Sequence, residues 1–144
     1  NFAQYMIDIK GLTDRVTLNG ITLMNLETFL LPMSVEYVSN LVQLRGQKSF
    51  TPCRSYNENV KGEGIFFATE FELEEVADTF LDMCNFKKGM VWVNGNNLGR
   101  YWNRGPQQRL YCPATFLNEG KNTIVVFDLH QQQATTICGK KTLE

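Results

Sequence analysis

The 144-residue sequence has little of what would assign it a function directly. His130 is its one histidine, so any Ser-His-Asp or Cys-His catalytic arrangement would depend on it. We expect His130 to be solvated after a last strand instead. No apolar run approaches the roughly 20 residues that a membrane helix needs. The net charge of −1 argues against nucleic acid or an anionic membrane as the main partner, because both favour a basic surface.

Metal-binding patterns are also missing. The four cysteines, which contain no C-x-x-C pair, give poor support for a zinc site, and no D-x-D-x-D-G calcium loop occurs. We therefore predict no metal and no cofactor. An even number of cysteines permits two disulfides, but a core of this size does not need covalent links. We predict four reduced, mostly buried thiols, at Cys53, Cys84, Cys112 and Cys138.

What is present indicates a single domain built from strands. The length and the 43% hydrophobic content fit one domain over residues 1–144. Asn19-Gly20 lies between two short β-prone runs and predicts a tight hairpin. Further short runs predict strands at 79–83, 90–93, 98–102, 107–112 and 122–129. Successive strands without helical crossovers predict an all-β fold, an antiparallel β-sandwich or jelly roll.

Three other regions have weaker or different patterns. Residues 29–44 are apolar with Pro32 inside, and their pattern fits either a strand or a short helix. Residues 45–64 are polar and glycine-containing, which predicts a solvated loop. Glu70, Glu72 and Glu74 alternate with apolar residues, which places these carboxylates on the solvated face of one strand rather than in a catalytic cluster.

The segment from Lys88 to Leu129 carries a dense motif: K-G-M-V-W-V-N-G-N-N-L-G-R-Y-W, then G-P-Q-Q-R-L-Y-C-P and L-N-E-G-K-N. It resembles the final jelly-roll segment of glycoside hydrolase family 35 β-galactosidases, a galactose-binding-domain-like fold. Residues 80–83 and the run from Lys10 to Gly20 are similar to that family as well. The resemblance implies that this chain is a non-catalytic piece of a retaining β-galactosidase. The two catalytic glutamates would lie on a TIM barrel of about 250 residues outside it.

Much of the motif has an architectural interpretation. Asn94-Gly95 suits the positive-φ positions of a hairpin turn. Gly99 is expected to leave room for a close backbone approach, and Pro106 to preset a bend. On the strand at 90–93, Val91 and Val93 would face one side and Met90 and Trp92 the other, as in a strand covered on both faces.

The same motif supplies the candidate site. Aromatic rings with neighbouring polar groups could stack and bind a sugar, or could be core and interdomain contacts, which we favour. The candidate residues are Trp92, Asn94, Asn97, Arg100, Tyr101, Trp102 and Gln107. Because alternate strand residues face opposite sides, we expect Tyr101 to point inward and Arg100 to stack on Trp102. That face would be partly covered in the full-length enzyme.

Two functions remain open at this point. The favoured one is an accessory module that packs on the catalytic barrel of the same polypeptide; the alternative is an autonomous carbohydrate-binding module for galactosides. In the favoured case we expect galactosides to bind only weakly, in the millimolar range. The resemblance leaves the compartment unassigned, with a periplasmic or extracellular bacterial location favoured over the cytoplasm.

Overall fold

The structure is a computed structural model that describes residues 11–12, 14–44 and 64–143. The chain divides into two compact units, Asn1–Pro32 and Met33–Glu144. The prediction of a single domain over residues 1–144 stays a prediction. In the first unit, strands β1 (Thr17–Leu18) and β2 (Ile21–Thr22) pair antiparallel. The turn residues Asn19 and Gly20 have φ of 50° and 81°, which confirms the predicted hairpin.

The second unit contains one α-helix and two antiparallel sheets among its described residues. The first sheet has the strand order β3-β8-β5-β6 and the second has the order β7-β4-β9. The elements are α1 (Val35–Leu44), β3 (Ile65–Leu73), β4 (Thr79–Asp82), β5 (Lys88–Val93), β6 (Asn96–Trp102), β7 (Arg109–Cys112), a short 3₁₀ helix (Ala114–Phe116), β8 (Gly120–Asp128) and β9 (Cys138–Lys140). The predicted all-β antiparallel sandwich is confirmed, and the predicted strand bounds differ by a few residues.

The main core lies between the two sheets and follows from residue alternation along the strands. Val91 and Val93 of β5 point into this core and are fully buried. Met90 and Trp92 point to the opposite, outer face of the four-stranded sheet, where Trp92 packs with Val38 of α1. The predicted coverage of this strand on both faces is confirmed.

Helix α1 settles the region that the sequence left open between strand and helix. The helix begins at Val35, three residues after Pro32. Ser34 caps it: the Tyr37 amide donates to Ser34 Oγ at 3.3 Å, and the Val38 amide to the Ser34 carbonyl at 3.0 Å. Buried Val38 anchors the helix on the sheet. Of the predicted loop at 45–64, residues 45–63 lie outside the described residues.

The acidic residues of β3 lie as predicted. Glu70 and Glu72 are exposed, whereas Phe71 and Leu73 between and after them pack against the main core. Glu74 is exposed just beyond the strand. These carboxylates are therefore a solvated row on an edge strand.

The expectation for the Asn94-Gly95 turn is confirmed, and the expectation for Gly99 is wrong. Asn94 and Gly95 have φ of 49° and 81°, as predicted for the β5–β6 turn. No other part of the chain comes close to Gly99, since a Cβ added there would have no atom within 4 Å, so the expected close approach is wrong. Its φ of 110° instead serves a bulge, in which Val91 pairs with Gly99 but Trp92 pairs with Asn97.

The prediction of mostly buried thiols is wrong for the cysteines that the structure describes. Cys112 is buried, but Cys84 and Cys138 are exposed, and all three are free. Cys53 lies outside the described residues. Across those same residues, no helix is long and apolar enough to cross a membrane.

Candidate functional site

Asn94, one of the predicted site residues, is committed to an internal hydrogen-bond network. Its Nδ2 donates to the Phe116 carbonyl and to Asn122 Oδ1, each at 2.8 Å, and its Oδ1 accepts from the Thr123 amide at 2.8 Å. The side chain thus joins the β5–β6 turn to β8 and to the connector before it. Both the nitrogen and the oxygen of its side-chain amide are therefore engaged within the domain.

Asn122 completes this network from the fully buried side. Its Oδ1 accepts from the Asn118 amide at 2.8 Å, and its Nδ2 donates to the carbonyls of Asn118 at 2.7 Å and Gly120 at 3.0 Å. Gly120 adopts a φ of 81° in the same turn. The L-x-x-G-x-N part of the motif therefore closes a turn.

Tyr101 and Asp128 belong to a second buried hydrogen-bond network. Tyr101 points inward, as predicted, and its hydroxyl lies 2.9 Å from Asp128 Oδ2 and 3.0 Å from the Phe127 carbonyl. Asp128 also accepts from the amides of Lys87, Lys88, His130 and Gln131 at 2.8–3.3 Å. Burial and the nearby carboxylate raise the pKa of Tyr101. For Asp128, burial opposes ionisation, but the backbone amides and the Tyr101 hydroxyl hold its pKa below the usual range.

Trp92 is not part of any open site in this structure. Its ring is 1% exposed and lies against Val38 and Val125, with the Phe66 ring centroid 6.5 Å away. Asn97 is exposed, but its Oδ1 accepts from the Gly99 amide at 2.7 Å within the bulge. These residues have local structural roles, separate from the remaining candidates.

The remaining candidates meet in one groove on the outer face of the four-stranded sheet, beside the area that α1 covers. The groove has a volume of about 400 Å³. We call it the Trp102 groove; it is lined by Lys88, Gly89, Met90, Arg100, Tyr101, Trp102, Gln107, Phe127 and Leu129. Trp102 is 42% exposed, and Arg100 and Gln107 are exposed beside it. The structure thus brings four of the seven predicted residues together.

The cation over Trp102 is Lys88, so the expected stacking of Arg100 on this ring is wrong. Lys88 Nζ lies 4.7 Å from the centre of the ring. The reason is register: Lys88 pairs directly with Trp102 across the β5–β6 ladder, whereas Arg100 pairs with Met90. Arg100 is exposed and lines the groove together with Met90.

Lys88, Met90 and Phe127 are groove residues that the sequence reasoning did not assign. Lys88 opens the K-G-x-V-W-V-N-G motif, and its even position places it on the outer face with Met90 and Trp92. That periodicity could have identified it. Phe127 could not have been found in this way, because its neighbourhood depends on the pairing of β8 with β5.

Chemically, the groove offers an apolar floor, one open aromatic ring, two cations and one amide. No carboxylate occurs among the described residues that line it. Within residues 11–12, 14–44 and 64–143, no cluster of histidine, cysteine or acidic side chains is arranged to hold a metal ion. Such a surface can bind an apolar or sugar-like partner with acceptor groups at its rim.

Comparison with known proteins agrees with this architecture. Residues 65–122 match the family model described as the β-galactosidase galactose-binding domain. The chain is 36% identical to β-galactosidase 17 of Arabidopsis thaliana, over 90% of this chain and 20% of that protein. It is 31% identical to β-galactosidase 8 of Oryza sativa subsp. japonica, over 90% of this chain and 22% of that protein. It is 34% identical to the β-galactosidase of Bos taurus, over 90% of this chain and 21% of that protein.

The chain thus spans about one fifth of the length of these relatives. A solved rhamnosidase from Novosphingobium sp. PP1Y matches 46% of this chain and 6% of its own, with 20% identity and a TM-score of 0.40, too slight a likeness to support an argument. The chain therefore carries the galactose-binding domain of the β-galactosidase family, which confirms the resemblance carried by its G-R-Y-W and G-P-Q motifs.

Proposed function

We propose that the chain is a non-catalytic accessory domain of a retaining β-galactosidase, and that its Trp102 groove packs on and supports the catalytic barrel. The observation that carries this proposal is the incomplete cover of the outer sheet face. Helix α1 packs over Trp92 and Val125, whereas Trp102 and Arg100 stay exposed next to Met90. Apolar surface left open on one face of a sheet favours docking of another layer.

The charges of the groove define the partner surface. Lys88 lies over the Trp102 ring, and Arg100 lines the same groove. A docked surface should therefore be apolar at its centre and should bring carboxylate or carbonyl oxygens to the rim, because an interface that buried both cations without acceptors would be costly. A partly exposed Trp beside an Arg is also the residue combination that most often dominates interface energetics.

The test compares two contexts, this chain alone and the longer parent polypeptide. Trp102→Ala should lower the free energy of unfolding more in the parent than in the chain, by at least about 2 kcal/mol, because the interface is lost only there. Tyr111→Ala is the matched control, since Tyr111 is an aromatic residue 49% exposed on the other sheet. It should have the same effect in both contexts. An equal effect of Trp102→Ala in both would contradict docking at the groove.

A second candidate, direct binding of galactosides, is favoured by the open Trp102 ring beside Arg100 and Gln107. A pyranose stacked on the face of the ring that Lys88 covers would have to displace Lys88. This would cost the cation–π interaction, which is about 0.5–1 kcal/mol at an exposed site. We expect galactose or lactose to bind no tighter than the millimolar range, about −4 kcal/mol. An NMR titration measures this affinity. Low-micromolar binding that is lost in a folded Trp102→Ala variant would favour an autonomous carbohydrate-binding module.

A further inference from the structure

The outer face of the three-stranded sheet carries two aromatic rings beside a pair of opposite charges. Leu81 and Leu110 point into the main core, so the residues that alternate with them on β4 and β7 point outward. These outward residues are Phe80, Asp82, Arg109 and Tyr111. Phe80 pairs with Tyr111 and Asp82 pairs with Arg109 across the ladder, so the aromatic pair and the charged pair are neighbours.

The Tyr111 ring is open to solvent and held in one position. Its side chain is 49% exposed, and its ring centre lies 5.6 Å from that of Phe80. Its hydroxyl donates to Asp78 Oδ2 at 2.8 Å, and Asp78 Oδ1 accepts from the Ala114 amide at 2.8 Å. A ring that is already fixed loses little conformational freedom when a ligand stacks on it. Tyr111 is therefore a preorganised platform for a flat, partly apolar ligand.

A depression of about 390 Å³ continues this face, and Asp82, Gln108 and Arg109 are among the described residues that line it. Arg109 Nε donates to Asp82 Oδ2 at 3.4 Å, whereas Arg109 Nη1 is shielded from solvent and has no hydrogen-bond partner among the described residues. Gln108 Nε2 donates to the carbonyls of Asn103 and Gly105 at 3.2 and 3.3 Å, which fixes its amide. Carboxylate, guanidinium and amide groups together can donate to and accept from adjacent hydroxyls.

We infer that this surface, which we call the Tyr111 face, binds a neutral oligosaccharide, with one sugar unit on the Tyr111 ring and the next unit at Asp82 and Arg109. Positions two residues apart on a strand are separated by about 7 Å, which suits successive units of a sugar chain better than a single unit. The charges balance, because Asp78 and Asp82 are offset by Arg109 and by Lys140 on the adjacent strand β9. A neutral ligand therefore needs no counter-charge of its own.

The Tyr111 face is separate from the Trp102 groove and does not depend on what occupies that groove. The groove lies on the outer side of the four-stranded sheet, and the Tyr111 face lies on the outer side of the three-stranded sheet. The main core lies between the two sheets, so the two surfaces are on opposite sides of the sandwich. A domain docked at the groove would leave the Tyr111 face available to a sugar chain.

NMR titration of the chain with galactotetraose, cellotetraose, galactose and glucose tests this inference. At least one tetrasaccharide should bind at least about tenfold tighter than its own monosaccharide, and should shift the amide signals of β4 and β7. Tyr111→Ala should weaken that binding at least about tenfold, whereas Tyr111→Phe, which keeps the ring, should stay within about threefold. Trp102→Ala is the matched control on the other sheet and should change the affinity by less than about twofold. Circular dichroism checks that each variant is folded.

The signals that shift in the unsubstituted chain locate the sugar even if a variant does not fold. Shifts confined to the Trp102 groove, failure of both tetrasaccharides to bind, or equal affinities for tetrasaccharide and monosaccharide would each overturn the inference. A larger loss of stability from Tyr111→Ala in the longer parent than in the chain would also overturn it, because another domain would then cover this face. Sugar binding at Tyr111 together with failure of the Trp102→Ala stability test would leave only the groove proposal wrong.

Discussion

Gly89 shows at the residue scale why one position of the motif tolerates no side chain. A Cβ at this position would coincide with the Phe127 carbonyl oxygen and lie 2.7 Å from the Tyr101 hydroxyl. The clash involves backbone in the middle of the sheet, which cannot move without breaking the pairing of β5 with β8. The motif glycine that permits close approach is therefore Gly89, and not Gly99 as expected from the sequence.

We predict that Gly89→Ala lowers the free energy of unfolding by more than about 3 kcal/mol, because overpacking against backbone has no inexpensive relaxation. Gly105→Ala is the control, since a Cβ there would meet its nearest atom, in the Trp102 ring, at an ordinary 3.5 Å. It should change stability by less than about 1 kcal/mol. Urea titration followed by circular dichroism measures both. Equal losses of stability in the two variants would show that the close approach of the Phe127 backbone to Gly89 does not determine which residue fits there.

Asp128 gives the domain a predictable response to acid. Its carboxylate is buried and its pKa lies below the usual 3.8, since burial is outweighed by bonds from the backbone amides and Tyr101. A folded pKa below the unfolded one stabilises the protein above about pH 4, and this stabilisation is lost as the pH falls further. Asp128→Asn places an amide donor among these donors and should cost about 1–3 kcal/mol at pH 7, but less near pH 3. Unfolding titrations at both pH values measure this effect. The prediction is contradicted if the stability difference between the unsubstituted chain and Asp128→Asn is as large near pH 3 as at pH 7.

The contact between Lys88 and Trp102 could not be predicted from the sequence, although the directions of the side chains on β6 could. Alternation along β6 correctly separates inward Tyr101 from outward Arg100 and Trp102. Which cation meets the ring depends on the β5–β6 register and on the bulge at Gly99, which offsets the two strands by one residue. Register is a property of the pair, so the pattern of one strand cannot supply it.

At the scale of elements, the strands of the second half were predictable and helix α1 was not. Turn residues such as Asn94-Gly95 punctuate short β-prone runs, so local sequence and final structure agree there. Residues 35–44 contain Val and Tyr, which have modest helix propensity. The helix is favoured by the Ser34 cap and by packing of Val38 on the sheet, and the second of these is a tertiary effect.

The turn before β8 depends on Asn122, and its removal is a prediction at the element scale. Asn122→Ala would remove a buried side chain and leave the Asn118 and Gly120 carbonyls and the Asn94 amide without this partner. We expect a loss of about 2–3 kcal/mol in the free energy of unfolding, measured by denaturant titration. Asn103→Ala, at an exposed position, is the control and should cost less than about 0.5 kcal/mol. A loss of stability as small as that of Asn103→Ala would contradict the prediction and would mean that water takes over the hydrogen bonds of Asn122.

For the whole molecule, the free cysteines of the fold predict the state of its thiols. We expect thiol titration under denaturing, non-reducing conditions to find about four free thiols, because the two-sheet core does not require covalent links. Without denaturant, Cys84 and Cys138 should react first and Cys112 slowly, since Cys112 is the buried one of the three cysteines that the structure describes and burial raises the pKa of its thiol. Finding two or fewer free thiols would contradict the prediction and indicate structural disulfides.

The absence of catalysis is predicted from the described part of the surface as well as from the motif. Glycoside hydrolysis needs two carboxyl groups about 5–10 Å apart across an open cleft. Three depressions on the second unit, of about 400, 390 and 260 Å³, have at most one carboxylate each among the described residues that line them. That one, Asp82, pairs with Arg109 at 3.4 Å. The chain alone should therefore leave a chromogenic β-galactoside unchanged. Turnover that persists after rigorous removal of host β-galactosidase, and that is lost in Asp82→Asn, would place an unexpected active site in the pocket beside Arg109.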